Sequence, residues 1–223
     1  MVTVKSSYTP FLHQNKEYKE IENKMIYTDI NEIQGEYDLI LSDPPWHIQK
    51  SKRKSRPNSS MSPIDYPTMN LYDIKEHLSI MTNHTSKDAI LFLWTIESQL
   101  YNALTLLDEL GWKKHVVMIW SKGRGMAPAF SVRFTHEYLI YAYKGKFERP
   151  IKDIQGKFGT VFTGTSHRHS EKPVETYEMI EAMYPNKKKI EMYARSSRIG
   201  WDSFGNEVDR GENDGSKDQS SSS

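Results

Sequence analysis

Four consecutive residues, Asp43-Pro44-Pro45-Trp46, combine a carboxylate, two stiff imino acids and an indole. Each proline lacks an N–H and holds φ at about −65°, and the residue before a proline is pushed toward extended backbone. The carbonyls keep their capacity to accept hydrogen bonds. Such a set suits an aromatic amine, whose lone pair is conjugated into its ring and is a poor nucleophile. Hydrogen bonds from its two N–H groups to Asp43 and to the Pro44 carbonyl favour the pyramidal form and aim the lone pair. Proximity and orientation then supply much of the rate. Trp46 or a neighbouring aromatic is expected to stack on the flat substrate. A bare D-P-P is equally an ordinary turn, with Trp46 a packing residue. The apolar run before it and the indole after it favour the catalytic reading.

The elements that must position this tetrapeptide can be read from periodicity. Tyr37–Ser42 is a short apolar run ending in a turn signal, as expected of a buried parallel strand. Leu71–Leu78 reads as a short helix and Ala89–Thr95 as a second buried strand. Leu100, Ala103, Leu104, Leu107 and Leu110 recur at helical spacing, and Gly111 closes that helix. Further strands are expected within Trp112–Trp120, at Glu137–Tyr143 and at Lys189–Tyr193. Pro173 opens a helix whose inner face is expected to be Val174, Tyr177, Ile180 and Tyr184. Strands alternating with helices predict an α/β fold with a doubly wound, mostly parallel, Rossmann-like sheet. Ligands in such sheets sit at the carboxyl ends of strands, which is where Asp43 falls.

The 223 residues suffice for one such domain. It is expected over 24–208, after a short arm (1–23) and before a disordered tail (209–223), which has no large apolar residue to offset its ordering entropy. Net charge is only +1, so polyanion binding would have to come from local basic patches. There are no cysteines, which excludes disulfides, thiolate nucleophiles and Cys-based zinc sites. With no long apolar run and no apolar leader near residue 1, no membrane partner and a cytoplasmic location (a bacterial or phage-infected cell) are expected.

Asp43-Pro44-Pro45-Trp46 resembles the catalytic tetrapeptide of N6-adenine methyltransferases similar to the 70-kDa subunit of the eukaryotic mRNA adenosine methyltransferase, a group that includes stand-alone bacterial and phage DNA enzymes. Two later segments carry the same resemblance. His169-Ser170-Glu171-Lys172-Pro173 is similar to the segment that introduces the cofactor helix in the permuted order. Ile190, Glu191, Ala194, Arg195, Gly200, Trp201, Gly205, Asn206 and Glu207 match the cofactor strand and loop. The resemblance covers about residues 24–207 and implies S-adenosylmethionine as cofactor, with permuted motif order. It implies that Arg195, Asn206 and Glu207 bind the ribose and carboxylate parts of that cofactor, that Tyr193 lines the adenosine pocket and that Lys24-Met25-Ile26 contacts the adenine. Asp43 then faces both cofactor and substrate. A lysine at a helix start opposes the helix dipole, so Lys172 is expected to serve the methionine carboxylate rather than sit solvated. The glycine-rich G-x-G loop is absent, and S-adenosylmethionine has no phosphate that would need one. No metal is expected, since a sulfonium is already activated; His167 and His169 lack a third spaced ligand.

Between the tetrapeptide and the next helix, five of the seven residues from Lys50 to Arg56 are basic: Lys50, Lys52, Arg53, Lys54 and Arg56. Beside a catalytic turn these suit phosphate contacts better than a merely solvated loop. A second loop carries Lys122, Arg124 and Arg133, and by resemblance shapes the target-base side. His136-Glu137 is read as structural support for the site. An adenine in a duplex must be flipped out to reach Asp43. The reading is an adenine-specific methyltransferase acting on DNA, favoured over RNA by analogy with the compact members. RNA adenosine, a catalytically silent nucleic-acid-binding subunit and a small-molecule or protein amine remain the alternatives. Pairing with a second copy or a related subunit is left open.

Overall fold

The computed structural model describes residues 24–47, 68–123, 132–165, 172–206 and 208. The expected arm and tail, the Lys50–Arg56 run, Arg124, His167, His169 and Glu207 lie outside these residues. Eight strands and three α-helices are present among the described residues: β1 (Ile26–Tyr27), β2 (Tyr37–Ser42), α1 (Leu71–Asn83), β3 (Thr85–Thr95), α2 (Leu100–Glu109), β4 (Lys113–Ser121), β5 (His136–Lys144), β6 (Val161–Thr163), α3 (Val174–Met183), β7 (Lys189–Met192) and β8 (Asp202–Phe204). They form one sheet in the order β1-β8-β7-β2-β3-β5-β4-β6. Every neighbouring pair is parallel except the two that involve β5, which runs antiparallel to β3 and β4. The mostly parallel α/β expectation holds.

The sheet is covered on both faces. On one, Ile74, Leu78 and Met81 of α1 and Ala103, Leu106 and Leu107 of α2 pack on Ile40, Leu91, Leu93 and Ile190. On the other, Met179, Ile180 and Met183 of α3 pack on Leu39, Leu41, Phe92 and Trp201. Burial on both faces is why β2 reads as an apolar run instead of an alternating one. No helix among the described residues is long and apolar enough to cross a membrane.

Local chemistry sets the ends. Asn70 caps α1, its side chain accepting from the Asp73 N–H at 2.9 Å while its amide donates to the Asp73 carboxylate at 2.8 Å. Gly111, with φ 78°, closes α2; Trp112 N–H reaches the Leu107 carbonyl at 2.9 Å and Gly111 N–H the Asp108 carbonyl at 3.0 Å, a Schellman arrangement that needs a left-handed residue. Two expectations change. α1 runs on to Asn83 and β3 begins at Thr85, because the polar stretch Thr85–Asp88 continues the strand beside β2. The inner face of α3 is Thr176, Met179, Ile180 and Met183, whereas Val174 is exposed at the first turn.

Candidate active site

Asp43 leaves β2 at its carboxyl end, in the middle of the parallel run β8-β7-β2-β3. Its N–H points to the Met192 carbonyl at 3.4 Å, so Asp43 and Tyr193 leave adjacent strands side by side. The prolines then turn the chain sharply. The Pro44 carbonyl accepts the Trp46 N–H at 2.8 Å, a three-residue turn about Pro45. The Pro45 carbonyl accepts the Met69 N–H at 2.8 Å, in a parallel bridge of Trp46 with Met69. Both proline carbonyls thus help to hold the turn, and the Pro44 oxygen, like that of Pro45, keeps a second lone pair.

Trp46 does not stand ready to stack on a substrate. Its ring is 5% exposed within the core, and its indole N–H donates to the Trp94 carbonyl of β3 at 2.9 Å. The expectation that Trp46 itself stacks is corrected: a large ring with one donor is best satisfied by burial against a strand end, and Trp46 fastens the Asp43-Pro44-Pro45 turn to β3.

Lys172, just ahead of α3, brings its ammonium to Asp43 Oδ2 at 2.8 Å and to Glu137 Oε2 at 3.2 Å. Glu137, at the start of β5, also accepts from Lys122 at the end of β4. The two ammoniums lie over indoles, Lys172 5.4 Å from the Trp94 ring centre and Lys122 4.9 Å from that of Trp120. The Lys172 and Asp43 side chains are 12% and 26% exposed, so this pair is far less screened than one on the surface. Burial pushes the Asp43 carboxyl above the usual carboxylate range; Lys172 pulls it down, Glu137 pushes it up and Arg195 pulls it down. Burial pulls the Lys172 ammonium down, but the attraction of Asp43 and Glu137 outweighs this and its pKa ends raised. Burial likewise raises Glu137, and the two lysines overcome it, so Glu137 ends below the usual range.

The turn after β7 is strained. Tyr193 has φ 64°, a left-handed conformation uncommon for a bulky side chain. It sets the ring parallel to His77 of α1 (centres 5.8 Å apart, planes 11° apart), with Phe204 edge-on at 5.8 Å and the hydroxyl 3.2 Å from His77 Nδ1. Gly205 passes so close to the same turn that a Cβ would lie 2.2 Å from the Ala194 carbonyl oxygen, so only glycine fits. Arg195 is exposed beside this turn and its charge is felt at Asp43; Asn206 is exposed after β8.

Beneath Asp43, toward α3, lies a polar network the sequence did not signal. Glu191 of β7 accepts the Tyr177 hydroxyl at 2.6 Å. Arg198 lies 4.8 Å over the Tyr177 ring and makes a two-point pair with Glu181, which also accepts the Trp201 indole N–H. Burial pushes the Glu191 carboxyl up to about 7.

The structure thus brings together Asp43, Pro44, Lys172, Tyr193 and, at its rim, Arg195. It sets others apart. Ile26 is exposed on the edge strand β1, three strands from β2, and Met25, also exposed, and Lys24 precede that strand. Arg133 is exposed before β5. Lys122, read as a phosphate contact, is exposed and pairs with Glu137, its ammonium lying over the Trp120 ring. Glu137, read with His136 as support for the site, holds Lys172. His77 was not foreseen, and nothing local marks it.

The donor set fits S-adenosylmethionine by its chemistry. A cation to meet a carboxylate, a carboxylate able to face a sulfonium and an amine, an aromatic ring held in a strained turn and an exposed amide stand along the ends of β2, β7 and β8. The buried hydroxyls of Ser42, the last residue of β2, and of Ser203, in the middle of β8, have no hydrogen-bond partner among the described residues.

The family model described as MT-A70 matches residues 37–207. The chain is 31% identical over 188 residues to Type II methyltransferase M.MunI of Mycoplasma sp, covering 77% of this chain and 78% of that protein. It is 24% identical over 189 residues to the human N(6)-adenosine-methyltransferase catalytic subunit METTL3, covering 82% of this chain and 30% of that protein. A similar match joins it to the N(6)-adenosine-methyltransferase MT-A70-like protein of Arabidopsis thaliana, at 24% identity over 79% of this chain and 24% of that protein. The chain therefore spans a third or less of the length of these two eukaryotic relatives.

Proposed function

The chain belongs to the MT-A70 family and is a methyltransferase, and on that premise we propose that it transfers a methyl group from S-adenosylmethionine to the N6 amine of adenine in DNA. The observation that carries this reading is the Asp43 carboxylate at the end of β2, ion-paired through Oδ2 with Lys172 and backed by a turn whose Pro44 oxygen has a lone pair to spare.

When bound, S-adenosylmethionine supplies an electrophilic methyl on a positive sulfur. Lys172, Arg195, Asn206 and Glu207 would hold its carboxylate and ribose, Tyr193 its adenosine side and Lys24-Met25-Ile26 its adenine. The rest is work for this chain. Asp43 accepts one N–H of the target amine and the Pro44 carbonyl accepts the other, which draws the lone pair out of conjugation and fixes its direction. As the amine gains its fourth substituent it becomes acidic, and Asp43 is the acceptor already bonded to the departing proton. Lys172 keeps Asp43 ionised in a site where burial opposes ionisation. Trp46, tied to Trp94, keeps the turn from drifting by the fractions of an ångström that such orientation cannot tolerate.

Nucleic acid as the substrate class is supported by the basic run Lys50–Arg56, which lies close in sequence to the catalytic turn. DNA is supported by the match along most of the Type II methyltransferase's length, against a third or less of the two N(6)-adenosine-methyltransferases. The test offers S-adenosylmethionine with a labelled methyl to duplex DNA, single-stranded DNA and RNA in parallel. Label in DNA is the expected result; label in RNA alone would move the substrate to RNA adenosine, and label in none would overturn the reading.

A further inference from the structure

Glu137 is the charged member of the site for which methyl transfer gives no direct use. It lies on β5, the one antiparallel strand among these neighbours, so its place at the strand's start is also the carboxyl-end rim of the parallel strands. Its carboxylate is 15% exposed and takes Lys172 on one oxygen at 3.2 Å and Lys122 on the other. Four charges of alternating sign therefore run in a row, Asp43, Lys172, Glu137 and Lys122, with both cations resting on indoles. Lys172 is shared. An ammonium with three donors can serve two carboxylates at once, but each then receives less than a full ion pair.

We propose, resting on the methyl-transfer reading above, that Glu137 is a positioning residue: by sharing Lys172 with Asp43 it leaves Asp43 charged but not fully paired, with Oδ1 available to the target amine. A carboxylate wholly claimed by one ammonium accepts a further hydrogen bond poorly, and one with no cation beside it in a dry site takes up a proton. Glu137 holds Asp43 between these limits. It also gives Lys172 a second anchor besides Asp43, while Lys122 ties the same carboxylate to the end of β4.

The charges that face Asp43 are Lys172 ahead of α3, Glu137 on β5, Glu191 on β7 and Arg195 after β7, with the Tyr177 hydroxyl on α3; Lys122 and Lys172 face Glu137. Their signs give opposite outcomes for two substitutions. In Glu137→Gln a repelling charge is lost, so Asp43 ionises at lower pH. In Lys172→Met the attracting charge is lost, so Asp43 ionises at higher pH. Activity needs ionised Asp43, so the acidic limb of the rate profile moves down in the first and up in the second.

The experiment uses the full chain and two readouts. One is the pH profile of methyl transfer to DNA; the other is the titration of the Asp43 carboxyl carbon by NMR on protein labelled at aspartate, assigned with Asp43→Asn. The proposal predicts that Glu137→Gln lowers kcat about 10- to 100-fold, as for a misplaced catalytic group, changes KM for DNA little, and moves the Asp43 midpoint down. Glu137→Asp, which retains the charge, recovers most of the rate. A lowered rate in Glu137→Gln with the Asp43 midpoint unmoved, or a Glu137→Asp as impaired as the Gln variant, would overturn it. If Glu137→Gln does not fold, Lys172→Met decides: an unmoved midpoint there contradicts the shared pair. If the wild type methylates nothing, the proposed function fails, and the NMR titration still tests the coupling by itself.

Discussion

The two ends of the parallel strands use charge in opposite ways. At the amino ends, several charged groups are tied to backbone. Asp38 accepts the Ser86 hydroxyl at 2.9 Å and the Lys188 N–H at 3.1 Å, Asp88 accepts the Lys146 N–H at 2.8 Å, and Lys189 donates to the Lys187 carbonyl at 2.8 Å. At the carboxyl ends, side chains pair mainly with one another, Asp43 with Lys172 and Glu137 with both lysines, and one residue, Tyr193, holds a strained backbone. A charge satisfied by backbone is fixed and stabilises the fold; a charge satisfied by another side chain can exchange that partner for a ligand. A cleft of about 320 Å³ beside His115, Phe147 and Arg149 opens near the amino end of β4, with no comparable set of paired charges. The difference puts the mutually paired charges where ligands of a parallel sheet bind, at the carboxyl ends.

The comparison can be broken at three places. The largest effect is expected at Asp43→Ala, which should lower methyl transfer by on the order of 10²- to 10³-fold, the scale for removing one preorganised polar group, while circular dichroism shows the fold unchanged. Retained activity would remove Asp43 from the chemistry. Next is Glu191→Gln, read by thermal unfolding against pH. The folded Glu191 pKa is raised to about 7, so its contribution to stability is complete below the unfolded value and is lost as pH rises through the folded one. The wild type should therefore lose stability relative to Glu191→Gln between about pH 4.5 and 7, by on the order of 3 kcal/mol, and hold a constant difference above that. A difference independent of pH would mean that Glu191 titrates normally. The smallest effect belongs to the amino end. Asp38→Ala should cost about 1 kcal/mol by removing its bonds to the Ser86 hydroxyl and the Lys188 N–H, a fall in melting temperature of a few degrees, with kcat unchanged. A fall in kcat matching that of Asp43→Ala would erase the distinction between the two ends.

Legibility followed range. β2 ran from Tyr37 to Ser42 as its apolar run indicated, and the turn at Asp43 sits where a ligand site in a parallel sheet should be. Lys172 stood out because a lysine at a helix start lacks a local reason to be there, and the structure puts it on Asp43. β1, β6 and β8 did not show, since two or three residues are too few to display a period of two. Trp46 was misjudged because an indole next to a catalytic carboxylate and an indole under it look alike in one dimension. The pairing of Lys122 was not legible for a related reason: its partner Glu137 lies across a loop on the next strand, and loop composition reports charge but not who neutralises it. Glu191 lay inside a matched segment, yet its role depends on Tyr177 of α3, a contact that no spacing along β7 announces.

The most direct measurement is nucleoside analysis of DNA after incubation with S-adenosylmethionine and either the wild-type chain or Asp43→Asn. The account predicts N6-methyladenine as the new nucleobase with the wild type and its loss with Asp43→Asn. N6-methyladenine undiminished in the variant, or a methylated cytosine in place of adenine, would contradict it.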